Sequence, residues 1–214
     1  MQPAAANLPP TPRPGLGVLG GTFDPPHRSH ERLARAALAQ LPIGELLVIP
    51  AGDHPHKQGR GTSPASHRLA MCELAFAAVP GARIDDREVR RAGLSFTVDT
   101  LAELRQEHPG RPLYFLIGSD NLPLLPTWRE HHRILALATV VTYPRAGHPM
   151  DASTLAGLDL DDAERQSLLA QRLPLPADAV SSTAIRAALA RGEDCPDVAP
   201  GVAAYALRHR LYTR

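Results

Sequence analysis

Two adjacent glycines, Gly20 and Gly21, stand just ahead of two histidines three residues apart, His27 and His30. Between them runs Thr22-Phe23-Asp24-Pro25-Pro26. Paired glycines let backbone N–H groups come close to an anion, because no Cβ stands in the way. A helix start adds unsatisfied N–H donors and the positive end of a dipole. Positions i and i+3 share a helix face, so His27 and His30 can point at one object. Pro25 biases Asp24 towards an extended backbone, and Pro26 does the same to Pro25, so the helix should begin near His27. This chemistry suits a bound phosphate.

The elements that must hold these residues follow from the apolar pattern. Leu16 to Leu19 reads as a buried strand leading into the glycines. Leu33, Ala34, Ala37, Leu38 and Leu41 form the stripe of a following helix, and Leu46 to Ile49 is a second short strand. Two apolar strands joined by a helix make a right-handed βαβ unit with parallel strands. Next comes a loop, Ala51 to Gly61, rich in glycine and titratable groups, at the strand end where open α/β sheets bind ligands.

Ser63 as N-cap and Pro64 as first helical residue predict a helix with Leu69, Cys72, Phe76 and Val79 inward. Further elements are a short strand, Ala82–Asp85, a solvated charged segment, Arg87 to Arg91, and a helix from Val98 to about Glu107. The strand Leu113–Ile117 ends at Gly118-Ser119-Asp120-Asn121, and Trp128 opens a helix through Leu135. Thr139–Tyr143 is a β-branched strand. Residues 146–177 read as a variable insert or cover with one helix, Asp161 to Gln171. Helices from Ala184 to Arg191 and from Val198 to His209 complete the chain. His67, His131 and His132 read as solvated helix residues.

With 214 residues, 43% hydrophobic and 21% charged, the chain can build one sizeable α/β domain over residues 15–214, behind a disordered proline-rich leader of residues 1–14. A net charge of +1 implies no broad basic surface, hence no nucleic-acid partner, and any anion site must be local. No apolar run reaches membrane-spanning length, and there is no secretory signal pattern. Cys72 and Cys195 have neither metal-ligand spacing nor a disulfide framework, and read as reduced thiols of a cytoplasmic protein.

Several motifs then agree in order. Gly20-Gly21-Thr22-Phe23-Asp24-Pro25-Pro26-His27 to His30 resembles the GGTFDPxHxGH signature of bacterial nicotinate mononucleotide adenylyltransferases. His56-Lys57 resembles the end of that family's PPHK/R loop, and Ser95-Phe96-Thr97 its SYT segment. Phe115 to Asn121 resembles F-I-I-G-x-D, Thr127-Trp128 the tryptophan motif that follows, and Val180 to Arg186 resembles ISSTxIR. Cys195-Pro196-Asp197 to Leu211-Tyr212 also fits. The chain departs at Ser29, where the family has glycine, at His54-Pro55, and at Phe96, where tyrosine is common.

The resemblance implies a Rossmann-like parallel sheet of the nucleotidyltransferase type, with helices on both faces. It implies adenylyl transfer from ATP to nicotinate mononucleotide, releasing pyrophosphate. The nucleophile is a phosphate already ionised at neutral pH, so catalysis must consist of positioning and charge neutralisation. By resemblance His27, His30, Lys57 and Arg186 act on the reacting phosphates. Gly20, Gly21, Thr22, Phe23, Gly118, Asp120, Ser182 and Thr183 bind ATP with them. Thr22, Phe23, Lys57, Thr97, Trp128 and Arg145 meet the mononucleotide. Mg²⁺ would be carried by ATP oxygens and water rather than by protein ligands. Alternatives stay open: nicotinamide mononucleotide or dual specificity, a phosphopantetheine adenylyltransferase, a nucleotide-binding protein without catalysis, and a metal reading of His27, His30, His54 and His56. The oligomeric state is not legible.

Overall fold

The computed structural model describes residues 14–52, 62–177 and 179–213. The proline-rich leader and the segment holding His54, His56 and Lys57 lie outside the described residues. The first half of the chain forms β1 (Gly15–Gly21), α1 (Arg28–Gln40), β2 (Ile43–Pro50), α2 (Ala65–Phe76), β3 (Ala82–Ile84), α3 (Arg87–Arg90) and α4 (Thr97–Glu107). The second half forms β4 (Leu113–Gly118), a 3₁₀ segment (Ser119–Thr127), α5 (His131–Leu137), β5 (Thr139–Tyr143), α6 (Ala152–Leu155), α7 (Asp162–Ala170), α8 (Ser182–Ala190) and α9 (Pro200–Arg208).

The five strands pair in the order β3-β2-β1-β4-β5, all parallel. Alternate strand residues face opposite sides, and each side has its own core. Leu46 and Val48 of β2 join Leu19, Leu33, Met71 and Val202 on one face. Leu47 and Ile49 join Leu16, Val18, Leu101 and Leu104 on the other. The strand order reverses at β1: the chain builds outwards through β2 and β3, then returns to lay β4 on β1's other edge. Such a switch point leaves a crevice beyond the strands' C-terminal ends.

Several expected boundaries move, each for a local reason. Gly20 and Gly21 are paired strand residues, opposite Ile49 and Pro50, rather than a turn. A Cβ on Gly21 would meet the Phe23 ring at 3.0 Å, so glycine there makes room for that ring. Phe23 itself has φ of 49°, a conformation costly for a bulky residue. Pro64 is the N-cap of α2, with ψ of 145°, and the helix starts one residue later than predicted. Ser63 is held outside it: its N–H donates to Asp24 Oδ2 at 3.1 Å and its carbonyl accepts from Arg68 Nε at 2.9 Å. The buried stripe turns with it to Ala65, Arg68, Met71, Cys72, Ala75 and Phe76, leaving Leu69 half-buried.

Trp128 does not open a helix. Pro123 and Pro126 lie in the 3₁₀ segment, Trp128 is extended behind it, and Glu130 is left-handed before α5 begins. The charged run Arg87 to Arg91 is not a solvated face either. Arg87 binds Asp85 at 2.7 Å and Glu107 at 2.9 Å, and Arg91 binds Glu103 at 2.7 Å, locking α3 onto α4. Burial works against it, but the Arg87 hydrogen bonds hold the Asp85 carboxyl below its usual range.

Within 146–177, α7 forms where expected, with Asp161 as N-cap in a capping box with Glu164. The segment is more than a cover: Leu155, Leu160, Leu168 and Leu173 are buried in the two cores. Its backbone also pairs with β5, as Thr142 N–H donates to Gln171 and Leu173 N–H to Thr142. Both cysteines are free thiols. No helix among the described residues is long and apolar enough to cross a membrane.

Candidate active site

A cleft of about 590 Å³ opens at the switch point. Its floor is the C-terminal ends of β1 and β4, from Gly20 and Gly21 on one strand to Ile117 and Gly118 on the other. His27 and His30 form one wall. Their rings stack with centroids 3.8 Å apart and 29° between planes, and Phe23 lies edge-on to His30 at 4.9 Å. The one-face arrangement expected from their spacing is what the fold builds. His30 is fixed further, since the His27 backbone N–H donates to its Nδ1 at 3.1 Å. An Nδ1 that accepts leaves the ring proton on Nε2, as a donor.

The opposite wall comes from α4 and the 3₁₀ segment. Thr97, the first residue of α4, and Trp128 both line the cleft. Trp128 packs against Phe115 at 6.2 Å, while Phe96 carries the Arg129 guanidinium over its ring at 4.8 Å. At the end of β4, Asp120 approaches the Arg145 side chain at 3.9 Å. Glycine at 118 makes room there, because a Cβ would run into the Asp120 carboxylate and meet the Arg145 side chain at 3.0 Å. The Arg145 backbone N–H donates to Ser119 Oγ at 2.9 Å, tying the segment after β5 to the end of β4.

Eleven of the residues singled out from sequence therefore line one cleft: Gly20, Gly21, Thr22, His27, His30, Thr97, Gly118, Asp120, Trp128, Arg145 and Ser182. Three are placed differently. Phe23 turns its ring into the core at 3% exposure. Thr183 is exposed on α8. Arg186 donates through Nη1 to the Asp24 carbonyl at 2.8 Å and through Nη2 to Thr183 Oγ1 at 3.3 Å. Its guanidinium thus braces the loop behind the histidines. Lys57 lies outside the described residues. Ser29 accepts at Oγ from Arg32 Nη2 at 3.3 Å, one turn along α1.

The loop from Asp24 to Arg28 is braced from the far end of the chain. Ser182 Oγ donates to Pro25 O at 2.9 Å, Arg28 N–H to Asp197 O at 2.8 Å, and Tyr212 O–H to Asp24 Oδ1 at 2.7 Å. Burial and the bond to Asp24 push the Tyr212 phenol well above its ordinary range. Arg68, 1% exposed, braces the loop from below. It donates through Nη1 to Thr22 O at 2.9 Å and through Nη2 to Gly52 O at 3.3 Å.

Two cleft residues, Glu88 and Thr100, had no signal in the sequence. Glu88 accepts from Thr100 Oγ1 at 2.6 Å, and burial raises its carboxyl pKa against that bond's pull. Ser95 Oγ is buried at the cleft edge with no hydrogen-bond partner among the described residues. Glu88 sat in a run that reads as a solvated face, and only the packing of α3 on α4 turns it inward.

Residues 18–188 match the cytidylyltransferase-like family. A protein of Albidiferax ferrireducens named a probable nicotinate-nucleotide adenylyltransferase is 43% identical over 198 residues, covering 92% of this chain and 97% of its own. The chain belongs to the nicotinate-nucleotide adenylyltransferase family. A Thermomicrobium roseum member, similarly named, is 38% identical over 92% of this chain and 91% of its own. A nicotinic acid mononucleotide adenylyltransferase of Plasmodium falciparum, solved with NaAD, superposes with a TM-score of 0.77 over 94% of this chain and 98% of its own. At 20% identity that likeness speaks for the fold, the nucleotidyltransferase type expected from the motifs. The family match runs from β1 to α8, so it takes in every described element that contributes a side chain to the cleft.

Proposed function

We propose that the protein is a cytoplasmic nicotinate-nucleotide adenylyltransferase of NAD biosynthesis. A phosphate oxygen of nicotinate mononucleotide attacks the α-phosphorus of ATP. The bond from that phosphorus to the bridging oxygen breaks, and pyrophosphate leaves with the electron pair. The observation that supports this reading is the stacked His27–His30 pair beside the glycine end of β1, both lining the cleft at the switch point. His27 and His30 neutralise charge at the α-phosphate, and the backbone of Gly20, Gly21, Thr22 and Phe23 follows the phosphates. Ser182 and Thr183, at the start of α8, suit the outer phosphates, with Lys57 reaching in from its loop. Gly118 and Asp120 suit ribose hydroxyls, Trp128 and Thr97 the pyridine ring and its carboxylate, and Arg145 the substrate phosphate. Arg186 contributes by holding the Asp24 backbone.

The protein's donor set fits a divalent ion that arrives with ATP. Asp24, the carboxylate of the loop that leads into the histidines, has both oxygens engaged, by Tyr212 and by Ser63. Mg²⁺ would thus be held by phosphate oxygens and water, and what it supplies is further neutralisation of phosphate charge.

Measuring kcat/KM for nicotinate and nicotinamide mononucleotides with Mg·ATP tests the reading. A clear preference for the acid is expected. Preference for the amide would overturn the substrate, and absence of pyrophosphate release with either would overturn the reaction.

A further inference from the structure

Away from the cleft, two consecutive histidines at the start of α5 face the segment that leads into α7. His131 is buried and His132 exposed, with ring centroids 4.0 Å apart. His131 Nε2 lies 2.8 Å from the Asp159 carbonyl oxygen and 3.7 Å from Asp159 Oδ2. His132 Nε2 lies 3.8 Å from the same Oδ2. Among the described residues this is a group of three whose ligand atoms all lie within 4.8 Å of one another. We propose that His131 Nε2, His132 Nε2 and Asp159 Oδ2 form a binding site for a divalent first-row transition ion such as Zn²⁺, separate from the ATP cleft.

The spacing suits one ion. Ligands about 2.0–2.2 Å from a tetrahedral centre stand about 3.4 Å apart. The two nitrogen-to-oxygen gaps therefore need to close by only about 0.3–0.4 Å. His132 is already oriented for ligation. Its Nδ1 lies 2.8 and 3.1 Å from the two Glu164 oxygens, so that nitrogen keeps the proton and Nε2 turns its lone pair towards Asp159. Glu164 is itself held, because its Oε2 accepts the Asp161 backbone N–H at 2.8 Å in the α7 capping box. His131 presents its lone pair once its proton moves from Nε2 to Nδ1.

Two imidazoles with a carboxylate select zinc and its neighbours over Mg²⁺, which prefers an all-oxygen octahedron. The positive start of α5 opposes a cation, and the Asp159 and Glu164 carboxylates offset it. A bound ion would clip α5, which begins three residues after Trp128, to the start of α7, 28 residues on from His131 at Asp159.

The test uses the full chain, stripped with a chelator and free of nucleotide, titrated with Co²⁺. One saturable equivalent with a tetrahedral-type absorption band is expected, displaced by Zn²⁺, together with a metal-dependent rise in Tm. Asp159→Asn and His132→Gln should each weaken binding by about tenfold or more. Their side chains are 78% and 53% exposed, so both variants should fold and keep adenylyl transfer within about twofold of the parent. No saturable binding would overturn the proposal. So would undiminished affinity in both variants, which would move the ion to other histidines. Neither result depends on the substrate of the cleft.

Discussion

His30 illustrates how one side chain can be prepared by its neighbours. The bond from the His27 N–H fixes its tautomer, and stacking on His27 and Phe23 fixes its ring. His30→Ala should lower kcat by about a hundredfold or more, the size of effect seen when one preorganised donor is lost. Stability should fall by only about 1 kcal/mol, since His30 stands at a helix start and is only half-buried. A kcat loss of only a few-fold in steady-state assays would remove His30 from the reaction. Glu88 supplies a pH test. Its folded-state pKa is raised by burial, so the stability linked to its proton is present at low pH and is lost as pH rises through that value. Glu88→Gln mimics the protonated form. Its Tm advantage over the parent should therefore be near zero at about pH 4 and grow towards about pH 8. Calorimetry giving a constant difference would contradict the assignment. The histidines were legible because their spacing and the glycines ahead of them say one thing. Glu88 was not, because four charges in five residues look alike in a string, and only packing tells which one turns inward.

At the scale of the element, α2 matters more to the site than its sequence suggests. It contributes no side chain to the cleft wall, yet Arg68 on its buried face reaches carbonyls of Thr22, Gly52 and Ser63. One guanidinium thus joins the end of β1 to both flanks of the segment that carries Lys57. Arg68→Met should cost at least about 3 kcal/mol in urea denaturation, because it leaves buried carbonyls without donors. KM for ATP should rise as well. Arg68→Lys should recover little of this, since a point charge cannot span three acceptors held by a planar fork. A loss below about 1 kcal/mol would show that water replaces the guanidinium. A helical stripe read from hydrophobicity passes over such a residue by construction. The predicted stripe took Leu69 as inward and did not include Arg68, which the fold buries to 1% exposure.

At the scale of the whole molecule, the parallel sheet was readable because β1, β2, β4 and β5 are continuous apolar runs, as strands covered on both faces must be. Residues 146–177 were not, because their buried leucines, Leu155, Leu160, Leu168 and Leu173, are irregularly spaced and fill gaps left by other elements. Leu168→Ala should therefore cost about 2–5 kcal/mol, as for any buried leucine, where a dispensable cover would lose almost nothing. Chemical denaturation distinguishes the two. The bracing of the first loop carries a further consequence, for the order in which the molecule becomes competent. Residues 20–30 leave the ribosome early, but besides Ser63 and Arg68 the groups that hold them in shape come from Ser182, Arg186, Asp197 and Tyr212. A half-made chain, or one clipped by a protease before α8, would carry the entire glycine–histidine signature and still handle nucleotide poorly. The cell would then be spared a partial product that captures ATP without using it.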